Sequence, residues 1–225
     1  MRTISIKEPL AAGWEGFKAN LSTFVAFGLV AIGIWFAEQI GLGIARATGP
    51  LKPAFLALVS VAARVAQIWL QLVFIHAALK VVDGQKISTG ELSRPAPDFL
   101  GFLLASVLYG LVVCAGLMLL VVPGIIWAVR YGAYGYALVN EHLDPVEALK
   151  RSAKLTEGVR WELFVFGLAL IGVNIIGAMA LGVGLVATVP VTAIAAARVY
   201  RQLVARAATK EPGAAFTPGR PIEAH

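Results

Sequence analysis

Few residues in this chain could do chemistry, and those that could lie where charge is costly. Glu38, Arg64 and Arg130 each fall inside an apolar run. An ionisable group at the bilayer centre costs about 2.5 to 3.5 kcal/mol on insertion scales, so each needs a partner or a purpose. Ser60, Arg64, Gln67 and Gln71 recur at steps of three and four, which places them on one helical face. Glu38, with Gln39 beside it, stands toward the end of the preceding run. If these two runs pack antiparallel, Glu38 and Arg64 come to nearly the same depth, and an ion pair between them is expected. Two roles stay open for Glu38, Arg64, Gln67, Gln71 and Arg130. They lock the bundle together, or Arg64 and Arg130 form a polar cavity for an anionic headgroup.

Enzyme chemistry finds little to work with. A zinc protease needs His-Glu-x-x-His, whereas the histidines are His76, His142 and His225, far apart and with only Cys114 as a thiol. An intramembrane aspartyl protease needs two facing carboxylates, and Glu38 is the only acid inside an apolar run. No glycine loop leads into a Lys-Ser/Thr pair, as phosphate-cradling loops do. The expectation is a non-enzyme with no catalytic residue, no metal and no cofactor.

The elements that hold these groups are apolar helices. Hydrophobic residues make up 59% of the 225 and charged residues 14%, against about 25% charged in a soluble domain. Mean hydropathy is +0.80. In lipid only helices and closed barrels satisfy every backbone polar group, and the short alternating segments of a barrel are missing. A crossing helix needs about 20 apolar residues. Residues 21–45, 54–79, 99–122 and 163–185 meet that length. Residues 125–139 and 186–204 are shorter, and they count as crossings if their ends snorkel and the bilayer thins. The expected fold is therefore all-α: an integral membrane bundle of six transmembrane helices in three hairpins, with short cytoplasmic interfacial helices. Re-entrant hairpins at the two short segments are the alternative. Residues 1–210 form one domain, residues 211–225 are expected to be a disordered cytoplasmic tail, and residues 1–20 lack the pattern of a signal peptide.

Basic residues orient the bundle. With the amino terminus inside, the cytoplasmic segments hold Arg2, Lys7, Lys18, Lys80, Lys86, Arg94, Lys150, Arg151, Lys154, Arg160, Arg198, Arg201, Arg206, Lys210 and Arg220, and the outer connections only Arg46 and Lys52. The net charge of +6 is spread over short connections rather than gathered in a domain, so the expected partners are membrane lipids with anionic headgroups, not nucleic acid.

Each hairpin has a helix-start signature before it: Ser5 with Glu8, Ser88 with Glu91, Asp144 with Glu147, the last followed by Pro145. The first and third units also match at an offset of 139 residues, as in Glu8 and Glu147, Phe27 and Phe166, and Gly28 and Gly167. The segment after Asp144 reads as an interfacial helix. Val146, Leu149 and Ala153 form its apolar stripe, Lys150, Arg151 and Lys154 a basic stripe for headgroups, and Gly158 a left-handed close. Ser106, Gly110 and Cys114, and likewise Ala178 and Gly182, have the four-residue spacing of close helix contacts. Trp14 and Trp161 read as interfacial anchors.

The run from Leu120 and Val121 through Pro123, Gly124, Trp127 and Arg130 to Tyr131, and then Glu147, Ala148, Leu149, Lys150, Arg151, Ser152, Leu155, Thr156, Glu157, Gly158, Arg160 and Trp161, resembles a group of uncharacterised bacterial membrane proteins. Some of that group are named after the membrane domain of glycerophosphoryl diester phosphodiesterases. The resemblance covers most of residues 5–204. It implies a bacterial inner-membrane setting and brings no catalytic residues, and the phosphodiesterase barrel itself has no counterpart here. The function expected is a lipid-interacting or scaffold component of the bacterial envelope. A small-solute or lipid transporter is the alternative, although both copies of the suspected repeat start on the same side, unlike inverted transporter repeats.

Overall fold

The computed structural model describes residues 5–46, 52–88, 90, 98–180 and 184–210. Among these it is all-α. Arg2, Glu91, Arg94, Gly182, Arg220 and the expected tail lie outside the described residues. The helices are α1 (Lys7–Ala19), α2 (Leu21–Arg46), α3 (Lys52–Val82), α4 (Phe99–Leu119), α5 (Val121–Tyr131), α6 (Tyr134–Glu141), α7 (Pro145–Leu155), α8 (Arg160–Met179) and α9 (Leu185–Lys210).

Among the described residues four helices, not six, are long and apolar enough to cross a membrane: α2, α3, α4 and α8. Their outer faces carry apolar stripes, such as Leu100, Leu104, Val107 and Leu111 on α4 and Leu29, Ile32, Phe36 and Ile40 on α2, all exposed. So much contiguous exposed apolar surface marks a face made for another phase.

The expected span at 125–139 is instead two helices. α5 has 11 residues and α6 has 8, so at 1.5 Å per residue neither approaches a hydrocarbon thickness of about 30 Å. The two nevertheless retrace α4 along its length. A Cβ at Gly116 would meet Gly124, Tyr109 donates to the Ala128 carbonyl at 3.3 Å, the Ser106 and Tyr134 hydroxyls lie 3.0 Å apart, and Asp98 meets His142 at 3.0 Å. The turn between α4 and α5 falls at Leu120, which is extended, and not at Pro123 and Gly124. Pro123 sits in the first turn of α5, where a missing N–H costs nothing.

The break at Gly132 and Ala133 is held by α7. The Ser152 hydroxyl donates to the Arg130 carbonyl (3.1 Å) and accepts from the Ala133 N–H (3.1 Å), while the Thr156 hydroxyl lies 3.0 Å from the same carbonyl. Both side chains are almost completely buried. Backbone groups stranded in an apolar interior need such partners.

The expected span at 186–204 also turned out otherwise. α9 is 26 residues long, does not qualify as an apolar span, and runs through the middle of the bundle with α1, α2, α3 and α8 packed on it. Small residues let neighbours close in: a Cβ at Gly13 of α1 would strike the Val191 carbonyl, and one at Gly28 of α2 would come within 2.7 Å of Val186. A helix packed by protein on several sides needs little lipid-compatible surface, and its arginines meet acids, Arg201 on Asp83 and Arg198 at 3.9 Å from Glu8. Pro190, inside α9, cannot donate the helical bond to Val186.

Other local expectations divide. The offset of the repeat is visible in the elements, since α2 and α8 begin 139 residues apart and Phe27 and Phe166 are both buried. Two of the three capping boxes fail, and the third, Ser88 with Glu91, reaches outside the described residues. Neither Ile6, the N-cap of α1, nor Asp144, the N-cap of α7, makes a side-chain capping bond, although Pro145 does occupy the first turn. Gly158 is left-handed (φ 78°), between α7 and α8. Gly110 meets nothing and Cys114 is exposed, so the close contact on α4 is made by Gly116 instead.

Replacing Ser152 with Ala should leave the Ala133 amide and the Arg130 carbonyl short of partners, a loss of about 1–3 kcal/mol. Thermal unfolding in detergent should then fall by several degrees, while Lys154→Ala on the exposed face leaves it unchanged. Equal melting of both variants would show that the break does not depend on the hydroxyl.

Candidate functional site

The intramembrane polar groups do not converge as a single cluster. Glu38 and Arg64 are joined through Gln67 rather than directly: Arg64 Nη1 donates to Gln67 Oε1 at 2.9 Å, and Gln67 Nε2 donates to Glu38 Oε2 at 3.1 Å. The amide can do this because it carries both an acceptor and a donor. The antiparallel packing of α2 on α3, with Gly41 against Val59, sets the register. Gln71, one turn further on, is exposed. Arg130 stands apart, at the end of α5, with its guanidinium 5.4 Å over the Tyr131 ring and its Nε buried without an acceptor. Neither arginine lines the cavity described below.

The basic stripe of α7 is split. Lys150 and Lys154 are exposed. Arg151 is turned inward, its Nε 3.0 Å from both oxygens of Glu141. The reason is that α7 packs into the bundle through Ala148, Leu149, Ser152 and Leu155, leaving Val146 exposed, so its apolar face is rotated from the expected one.

The Glu141 carboxylate belongs to a larger network that the sequence reading missed. Tyr200 donates to Glu141 (3.0 Å), Asn140 donates to Tyr200 (3.3 Å), and Arg201 donates to Asn140 (2.7 Å) and to Asp83. These bonds tie the ends of α3, α6 and α9 to α7. Adjacent Asn140 and Glu141 at the end of an apolar stretch were the available signal. Each member has a partner within the fold, so the network reads as a clamp, with Arg201 Nε buried and without an acceptor.

What remains open is a cavity of about 1090 Å³ between α2, α3, α6, α8 and α9. Its wall is chiefly aliphatic and aromatic, with Gln67, Gln71, Tyr134, Tyr136, Asn174 and Thr192 as its polar groups and no charged residue. Asn174 donates to the Thr192 hydroxyl at 3.2 Å, and its own carbonyl has no donor. An amide in the middle of the run containing Val173 and Ile175 was legible in the sequence and was passed over. Binding pockets commonly have this make-up, apolar with a few placed polar groups, over roughly 300–1,000 Å³.

Because Gln67, and not Arg64, touches the Glu38 carboxylate, Gln67→Leu should destabilise the bundle more than Arg64→Leu. The expected difference is about 1–2 kcal/mol, read as a lower unfolding temperature. The reverse order would mean that the two charges pair directly.

Residues 51–207 match a family model described as "Protein of unknown function (DUF975)". The match carries no link to glycerophosphoryl diester phosphodiesterases, so that part of the resemblance gains no support. No curated protein and no solved structure matches the chain.

Proposed function

Since the chain belongs to the DUF975 family, whose description names no activity, we propose from its physical chemistry that it is a non-enzymatic, lipid-interacting component of the bacterial inner membrane. The observation that carries this reading is the uncharged cavity set among helices apolar enough to cross a membrane. An ion leaving water needs charges or dense polar ligands, because its desolvation is otherwise uncompensated. Hydrocarbon needs only an apolar wall. Exposed Lys150 and Lys154 add a basic surface at the end of the bundle that carries Glu141 and Arg201, where an anionic headgroup gains about 1 kcal/mol per lysine.

The same end gathers most of the basic residues, so we place it in the cytoplasm by the positive-inside rule, with both termini on that side. Each hairpin returns the chain to this end. Topology can be tested in a Cys114→Ala background with a cysteine at Val122, at the start of α5 just past the far end of α4. An impermeant maleimide should label intact cells from outside, and labelling only after permeabilisation would overturn the orientation.

Native mass spectrometry of mildly extracted protein should show retained phospholipid, with phosphatidylglycerol preferred over phosphatidylcholine and that preference reduced several-fold in Lys150→Gln/Lys154→Gln. Loss of all lipid on extraction, together with solute uptake into proteoliposomes that depends on Glu38, would replace this reading with a transporter.

A further inference from the structure

The large cavity has a neighbour. A second cavity of about 510 Å³ lies between α5, α8 and α9, and Gly132, Tyr136, Leu170 and Ile171 belong to the walls of both. The two therefore adjoin, a larger arm and a smaller one that share these wall residues. Leu170 and Ile171, consecutive on α8, line both, so α8 runs along the boundary between them. Gly132, at the break between α5 and α6, also lines both.

α8 is suited to divide such a space because it is the least enclosed of the four apolar helices, with 11% of its apolar stretch buried. Its outer end is pinned, since a Cβ at Gly177 would strike Thr188, whereas a Cβ at Gly167 or Gly172 meets nothing within 4 Å.

The arms differ in chemistry. The hydroxyls lining the smaller arm are all engaged within the protein: Tyr109 with the Ala128 carbonyl, Tyr136 with the Ala193 carbonyl, Thr156 with the Arg130 carbonyl, and Tyr200 with Glu141. That arm offers an occupant only hydrocarbon surface. The larger arm adds Gln71, whose amide can donate to an ester carbonyl, and neither arm has a charged wall residue.

Building on the lipid-binding reading, we infer that the two adjoining cavities act together as a forked site for a lipid with two hydrocarbon chains, which straddle α8 with one chain in each arm. A single-chain amphiphile would leave one arm without contacts, and the lining would lose that share of its dispersion and burial energy.

The probes are dioleoyl phosphatidylglycerol and its one-chain lyso form, which share a headgroup and differ in chain number. With delipidated full-length protein in detergent, native mass spectrometry should show the two-chain lipid bound at least about ten-fold more tightly. Gly167→Phe fills the smaller arm from a position with open space. It should remove most of that advantage and leave one-chain binding unchanged. Equal binding of the two lipids to the wild-type chain overturns the fork and leaves the lipid-binding reading standing, as does an advantage that survives Gly167→Phe in a variant that elutes as folded. Binding of neither lipid overturns both. If Gly167→Phe does not fold, the wild-type comparison decides alone.

Discussion

The bundle depends on how one interrupted helix is kept satisfied inside an apolar medium. At Gly132 and Ala133 the path back along α4 loses its helical continuity, and the carbonyl of Arg130 and the amide of Ala133 must find partners away from water. Ser152 and Thr156, one turn apart on α7, supply them. That contact explains why α7 is drawn into the bundle instead of floating in the headgroup layer. It also explains why Arg151 faces inward to Glu141 while Lys150 and Lys154 face out. Gly132, at the same break, lines both cavities.

A second constraint follows from α9. This helix carries Arg198 and Arg201 toward the acids Glu8 and Asp83, and it serves as the wall against which α1, α2, α3 and α8 are registered. The glycines that matter are those that permit approach, Gly13 and Gly28 against α9 and Gly177 against Thr188. Where approach is absent, as at Gly167, space remains. Packing and cavity are thus two outcomes of one placement of small residues.

Charge is segregated with equal economy. The network of Asp83, Asn140, Glu141, Arg151, Tyr200 and Arg201 closes one end of the bundle, and Glu38, Gln67 and Arg64 join α2 to α3 away from it. Buried ionic groups are costly to strand and modest in net stabilisation. Using an amide as the bridge lets Glu38 remain half-buried while Arg64 stays exposed.

The amino-acid sequence by itself determined the four segments long and apolar enough to face an apolar phase, where basic residues accumulate, and the 139-residue offset that separates the starts of α2 and α8. Those are sums over many residues, and length and transfer free energy decide them without knowledge of neighbours. Only the tertiary structure decided that residues 125–139 break in two, that α9 is enclosed, that Gln67 stands between Glu38 and Arg64, and that Arg151 is spoken for. The reason is that hydropathy measures the escape of a side chain from water and is blind to whether lipid or another helix receives it. Partners such as Ser152 for Arg130, or Thr192 for Asn174, are chosen by register between helices, and a difference of one turn in that register would have chosen others.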